Sequence, residues 1–457
     1  MRPKAEPIIH FEWHDETEVA PLKIVREFRR KYKRISELLD AHPESLSVAD
    51  VDLKKLSQGG KKGRKAGFTS ENLLRALIVH TIEGLSLRRT AVLISESPFL
   101  QDFVRLGNRR PMDFTFIDRA FKAIGPETWK AINRALARDA AAAGEIDPSR
   151  VRVDTTVTET TIHYPTDASL LWDSWRTLSR LLRRGRALAP ELCLHRFHDA
   201  KVKKLHLRIG RFRGSRNKSR KRLVQKCFAT LIARTAWIAE IAEGFQAAAR
   251  ETGDIELMGI ALEIEGFLPA IRTVLDTSER ANLKGESVPA RERVFSIFEP
   301  HTELIRRGRS GKPVEFGHAV LLSQTPGKFI VDYEAMEHKI ADSHLSRVVV
   351  ESHEELFGEA PEVLTGDTGF NPKAEERAAL EKKVETFAVP RKLSDWNGVI
   401  NAMWQKFRAG IEGTISVLKR SYRLFRCPYR GFKSFAASVG LSIFCHNLVV
   451  LARPPSR

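Results

Sequence analysis

The stretch VRVDTTVTETTIHY, residues 151–164, constrains the fold more than any other part of this sequence. Its β-branched residues recur at period two, and such side chains lose rotamer freedom in a helix while packing well on a pleated strand. A lone strand buries nothing, so partners must come from elsewhere in the chain. They are predicted far downstream, at VFSIF (294–298), VEFGHAVLLSQT (314–325) and FIVDYEAM (329–336), with TPGK (325–328) as a hairpin turn. EVLTGD (362–367) has the apolar run of a buried strand, and VETFAVP (384–390) is a further strand. Helices are expected over DSHLSRVVVESHEELF (342–357), at 373–382, at 395–420 and at 432–451. Between the first strand and the rest, residues 169–290 are helical, with Leu223, Cys227, Leu231, Ile238, Ile241 and Phe245 on one face of a long helix. The pattern predicts an α/β domain made of residues 149–168 and 293–453, interrupted by a basic helical insertion at 169–292.

Upstream the period is helical. Residues 1–56 form an arm in which Val25, Phe28, Tyr32, Ile35 and Leu39 make an apolar stripe two heptads long. That is too short to establish a coiled coil; it suits packing on a neighbouring domain, or support of a dimer. SQGGKKGRKAG (57–67) is a basic, glycine-rich linker. Residues 68–148 then give short helices broken at Gly84 and Pro98, with Ser70 and Ser86 as expected N-caps. An LRR run in the second helix suits a helical DNA-binding domain of helix-turn-helix type, and equally an ordinary bundle with solvated arginines.

Charge narrows the partner. The 457 residues carry a net +19 with 76 Lys and Arg, a field that favours a polyanion. A membrane is not expected as that partner, since no apolar run approaches about 18 residues, and the first residues show no secretion signal. Cys193, Cys227, Cys427 and Cys445 lack metal-binding or disulfide spacing, which points to buried free thiols in a reducing cytoplasm.

Three carboxylates stand out. Asp154 interrupts a strand of valines and threonines, where aspartate is depleted; the plain alternative is a strand-end residue. Asp367 follows a strand between Gly366 and Gly369, where it could equally cap a turn. Glu412 lies in RAGIEGTISVLKR (408–420), between Gly410 and Gly413, on one helical stripe with Arg408 and Lys419. A surface Glu–Arg pair would account for the charges but not for glycines that each cost a helix about 0.5–1 kcal/mol. Flanks without bulk suit a carboxylate that must approach a sheet edge, a metal and a phosphodiester. Cleavage of a phosphodiester puts charge on the attacking and the leaving oxygen, and two Mg²⁺ ions about 3.5–4 Å apart stabilise both. Mg²⁺ keeps several waters, so two or three carboxylates suffice as protein ligands.

These segments resemble the DDE transposases of bacterial insertion sequences, whose catalytic domain is ribonuclease-H-like. The resemblance runs from about residue 69 to 453 and rests on VRVDTTVTETTIHYPTD, VLTGDTGFN and RAGIEGTISVLKR. SIFEPHTELIRRGRSGKPVEFGHAV and RLFRCPYRGFKSFAASVGLSIFCHNLVVLAR resemble further family segments. It implies a mixed sheet flanked by helices, with Asp154, Asp367 and Glu412 as the catalytic, metal-holding trio. The cofactor implied is a pair of Mg²⁺ ions, with Mn²⁺ able to substitute. One branch of the family has a tyrosine–arginine–glutamate–lysine signature, which Arg408, Glu412 and Lys419 fit. The tyrosine position holds Gln405, with Trp404 beside it, a departure from that signature. The resemblance further implies binding of double-stranded DNA, both element ends and target, by a homodimer or larger assembly in the bacterial cytoplasm, at the nucleoid.

Residues 196–226 hold 13 Lys and Arg against one acid, Asp199. Lys203, Lys204, Arg208, Arg211, Arg213, Arg216, Lys218, Arg220, Lys221 and Arg222, with Phe197 and Phe212 among them, are expected to track DNA phosphates; a solvated face is the alternative. Trp404, Arg408, Lys419 and Arg420 are expected to hold DNA at the site, while sequence recognition falls to the N-terminal helices. His163, His318 and His446 are expected to be structural. The expected function is Mg²⁺-dependent cleavage at terminal inverted repeats followed by strand transfer. The alternatives are a nuclease of the same fold that cuts without joining, and a non-catalytic nucleic-acid binder.

Overall fold

Strand β1 (Arg150–Thr160) forms where the alternation predicts it, at the centre of a seven-stranded mixed sheet. The structure, a computed structural model, describes residues 22–57, 67–306, 313–392 and 399–453. Nearly all of the expected 57–67 linker lies outside the described residues. The chain divides into two units, residues 1–159 with 318–457, and residues 160–317.

The first unit begins with helices α1 (Lys23–Ala41), α2 (Pro43–Leu53), α3 (Ser70–Ile82), α4 (Leu87–Glu96), α5 (Pro98–Phe103), α6 (Phe114–Ala123) and α7 (Pro126–Ala142). The stripe on α1 buries Tyr32 and Ile35 in this unit's own core, so packing is the use it has here. Helix α3 starts one residue earlier than expected. Thr69, not Ser70, is its cap: the Thr69 hydroxyl accepts from Asn72 N (3.1 Å) while Asn72 Oδ1 accepts from Thr69 N (2.8 Å). Ser86 caps α4 as predicted. Gly84 takes φ +61°, the left-handed conformation that ends α3 without a Cβ clash.

Strands β3 (Val314–Gln324) and β4 (Ile330–Ala335) are antiparallel, with Leu322 opposite Tyr333, and join through the predicted turn at 325–328. On the other side β1 pairs in parallel with β5 (Val363–Thr365), which pairs in parallel with β6 (Thr386–Ala388). Reading across, the order is β2 (Glu303–Arg306)-β3-β1-β5-β6, with β4 as a further partner of β3. The two-residue β7 (Arg426–Cys427) pairs with the end of β1, where Arg426 also meets buried Glu159 at 2.7 Å. The flanking helices are α12 (Asp342–Phe357), α13 (Ala374–Leu380), α14 (Val399–Ser421) and α15 (Phe432–Leu451). The expected helix at 395–420 thus begins at 399 among the described residues.

Helix α15 corrects one expectation. By length and hydropathy it could cross a membrane, although its sequence is punctuated by Ser, His and Asn. In this fold 72% of its apolar window is buried. It joins Trp129, Phe121 and Leu322 in a single hydrophobic core. Beside that core Lys130 and Arg134 of α7 pair with Asp332 of β4 (2.7 and 3.4 Å), lining a cleft of ≈ 290 Å³ with Tyr333, Ser352 and Glu355. Burial alone would raise the Asp332 pKa, but Lys130, Ser352 and Arg134 outweigh it and hold the carboxylate below its ordinary range.

Two histidines buried in this core set a pH dependence. His446 of α15 donates from Nε2 to the Lys328 carbonyl (3.0 Å), and burial pushes its pKa down to about 4. His80 of α3 lies against Thr90 and the Tyr429 hydroxyl, and burial, with Arg423 adding to it, takes it to about 3. Unfolded histidine titrates near about 6.5, so below that pH the unfolded chain binds protons that the native one refuses. Stability is therefore expected to be complete above that pH and to fall as pH drops from about 6.5 toward 4. Melting temperatures at pH 7.5 and 5 should show the loss, and His446→Gln should flatten it.

The second unit is helical: α8 (Asp167–Leu188), α9 (Asp199–Phe212), α10 (Lys218–Glu251) and α11 (Ile255–Asn282). The predicted face of α10 buries Cys227, Leu231, Ile238 and Phe245 against Trp175, Leu178 and Leu182 of α8. Gly185 of α8 leaves room for the Phe245 ring. VFSIF is not a strand. The Ser296 hydroxyl accepts from Phe298 N and Glu299 N, each at 3.2 Å, and Ile297 enters the bundle core. An apolar run bent by a serine buries its side chains without pairing its backbone. The strand that does form nearby is β2 (Glu303–Arg306), antiparallel to the start of β3 with Leu304 opposite Phe316. All four cysteines are buried, and none is in a disulfide.

Candidate active site and nucleic-acid surface

The register of β1 on β5 decides where the two aspartates stand. Arg152 is opposite Thr365, and Asp154, still within β1, and Asp367, past the end of β5, each follow by two residues on these adjoining parallel strands. Such strands lie about 4.8 Å apart. Each carboxylate is fixed by a backbone amide. Asp154 Oδ1 accepts from Thr155 N at 2.7 Å, and Asp367 Oδ1 accepts from Gly369 N at 2.8 Å. Asp367 thus caps the short turn Thr368–Phe370, in agreement with its plain reading.

The glycines serve neighbours within the protein. A Cβ on Gly366 would meet Phe370 Cβ at 3.1 Å and Val153 Cγ2 at 3.2 Å. On Gly369 it would meet Asp367 Oδ1 at 3.0 Å and Asp342 Oδ2 at 3.6 Å. Asp342, in the first turn of α12, is therefore a third acid beside this edge. Sequence reading missed it because an acid opening a helix is ordinary dipole chemistry.

Glu412 is placed on α14, which packs on this side of the sheet through Arg152 of β1. The Arg152 Nη1 donates to the Phe407 carbonyl at 2.7 Å, and its Nε donates to Gln324 Oε1 at 2.7 Å. Gly410 faces that guanidinium, while Gly413 faces open space. The expectation that both glycines clear a path for metal and DNA is corrected to this extent. Glu412 itself is exposed and pairs with Arg408 at 2.9 Å, the simple i,i+4 pair. Trp404 is half-buried beside Phe407, at 6.2 Å between rings; Lys419 is half-buried and Arg420 exposed.

Carboxylate oxygens are the hard donors that Mg²⁺ takes. Two aspartates on adjoining strands are donors of the kind such an ion takes, while Glu412 is held by Arg408. Among the described residues no three His, Cys, Asp or Glu side chains are grouped closely enough to hold a metal in this ligand-free structure. The histidines are structural in placement: His318 is fully buried, His446 is in the core, and His163 pairs with Asp173 at 2.6 Å.

In the second unit, α9 and α10 form a hairpin whose tip carries the basic run. Lys203, Lys204, Arg208, Arg211, Arg213, Arg216, Lys218, Arg220, Lys221 and Arg222 are all exposed. None of them pairs with a carboxylate of a described residue. Arg211 and Arg220 both lie 5.4 Å from the Phe212 ring, which holds two cations together at the tip. Phe197, by contrast, is buried in the bundle next to Trp175.

Comparison with protein-family models, with curated proteins and with solved structures finds no significant match to this chain.

Proposed function

We propose that this protein is a DDE-type transposase that binds the terminal inverted repeats of its element, cuts there with Mg²⁺, and joins the freed end to target DNA. The observation that carries the reading is the placement of Asp154, within β1, and Asp367, just past the end of β5, each two residues beyond the last register pair of these adjoining parallel strands. The order β2-β3-β1-β5-β6, with β2 and β4 both antiparallel to β3 and with β5 and β6 parallel to β1, supports a ribonuclease-H-like catalytic domain.

In this reading Asp154 and Asp367 hold the ions, and Glu412 completes the set after exchanging Arg408. Bound Mg²⁺, or Mn²⁺ in its place, would supply Lewis-acid stabilisation of the reacting phosphate oxygens. Arg408, released, holds the phosphate chain with Lys419 and Arg420, and Trp404 offers an aromatic face nearby. End recognition falls to α3–α6, where exposed Thr115, Phe116, Arg119 and Lys122 share the outer face of α6. A pairing of two ends requires at least a homodimer. The Arg408–Glu412 pair favours one second reading, a nucleic-acid binder that does not cut. Incubating the protein with Mg²⁺ and duplexes carrying the inverted repeats beside its gene, and scoring nicks separately from joined products, decides between them. Joined products support the transposase; nicks alone indicate a nuclease; binding with neither indicates the non-catalytic protein.

The α9–α10 tip is assigned to phosphates without sequence preference. Replacing Lys218, Arg220, Lys221 and Arg222 together with glutamine is expected to lower the slope of log K against log salt by about 3–4. Affinity for specific and random duplexes should fall alike. Because the four side chains are exposed, the melting temperature should stay unchanged.

A further inference from the structure

Gly410 marks a tight junction between two elements of the candidate site. A Cβ there would lie 2.8 Å from Arg152 Cζ and closer still to Nη1. Arg152 is only 5% exposed and binds two neutral acceptors, Gln324 of β3 and the Phe407 carbonyl of α14. Its Cζ also lies 4.9 Å from the Phe407 ring. No ion pair to a described carboxylate balances it, and burial lowers its pKa to about 10, so it stays charged at neutral pH. A buried cation served by neutral groups is costly to retain. Its position shows what it could secure. Two residues beyond Arg152 on β1, on the same face by alternation, is Asp154. Glu412 is two residues beyond Gly410 and about 200° further round α14, so the junction sets how far this helix stands from β1, not which way that carboxylate points.

We propose that Arg152 is a positioning residue, which reaches through the gap at Gly410 to tie α14 to β1 and so sets where Glu412 stands relative to Asp154. The proposal rests on the metal-site reading of Asp154, Asp367 and Glu412. It requires arginine in particular, because one planar guanidinium donates to Gln324 and Phe407 in two directions, whereas a lysine ammonium on its single stem is not preorganised for both. It requires glycine at 410, because any side chain enters the guanidinium's space.

The test compares the full-length wild type with Arg152→Lys, Gly410→Ala and Asp154→Ala. Four quantities are read: Mn²⁺ binding by calorimetry without DNA, the Mg²⁺ concentration for half-maximal cleavage, binding to end DNA, and melting temperature. Arg152→Lys and Gly410→Ala are each expected to weaken Mn²⁺ binding and raise the Mg²⁺ requirement by about tenfold, the usual cost of losing support behind a metal ligand. End-DNA binding should stay within about twofold, since phosphate contacts dominate it. Arg152→Lys keeps charge and most of the bulk, so it remains informative if Gly410→Ala does not fold. Normal Mn²⁺ affinity in a folded Arg152→Lys protein, with Asp154→Ala defective, overturns the positioning role alone. Normal Mn²⁺ affinity in Asp154→Ala overturns the site reading, and the positioning role with it.

Discussion

Replacing Asp154 with alanine is expected to lower cleavage of element ends by about 10³-fold or more, the equivalent of roughly 4 kcal/mol of transition-state stabilisation. The loss should appear in the rate of the chemical step and not in binding of end DNA. Removing one negative charge takes nothing from the basic α9–α10 tip or from α6, which carry the proposed phosphate contacts and recognition surface. Strand β1 should survive the change. Val151, Val153 and Val157 are buried on it, and its backbone is paired along β5. Gel-shift affinity, melting temperature and single-turnover cleavage, measured on one preparation, separate these effects. Cleavage persisting within about tenfold of wild type would remove Asp154 from the chemistry.

The largest expected loss of stability comes from adding a methyl group to Gly440. In α15 this glycine lies where a Cβ would come within 2.5 Å of Trp129 Cβ and of the Tyr333 hydroxyl. The Trp129 Cβ is carried directly by the α7 backbone, and both residues are buried, so neither can swing aside. Relief requires α15 to move away from α7 and β4. Overpacking of this kind costs about 1–3 kcal/mol and occasionally more, and Gly440→Ala belongs at the upper end. The same change at Gly413, which faces open space in the middle of α14, should instead stabilise by about 0.5–1 kcal/mol through helix propensity. Denaturant melts of the two variants should move in opposite directions. Equal shifts would mean that helix propensity, not neighbouring atoms, governs both.

The contrast between these glycines shows what a sequence can disclose. That a glycine inside a helix costs stability is legible from residue type alone, so Gly410 stands out. What occupies the space it leaves is not legible, because Arg152 lies in another element, 258 positions earlier (410 − 152). The strands at 151, 314, 329 and 362 are readable because β-branched and apolar residues recur at period two or in short runs. VFSIF misleads for a physical reason: an apolar pentapeptide satisfies the strand pattern equally well when a serine side chain bends it. The cap of α3 shifts by one residue because Thr69 and Ser70 are both competent caps, and only Asn72 answering Thr69 decides between them. Asp154 and Asp367 can be named from their strands, yet their adjacency depends on register. Glu412 stands out by its flanks, and its ion pair with Arg408 is the simpler half of that expectation.

The pairing of β1 with β5 also bears on how the chain reaches its native state. Arg150 and Val363 are partners across 213 positions (363 − 150), and no local contact helps them meet. Closing a loop costs entropy that grows with its length, and such distant contacts slow folding. The bundle of α8–α11, held together by contacts among its own helices, can form while β1 is still without that partner. If that bundle forms first, it would shorten the effective loop that closing the sheet has to span. The aspartates of the proposed site would accordingly come together in one of the last steps of folding, after the basic bundle is complete.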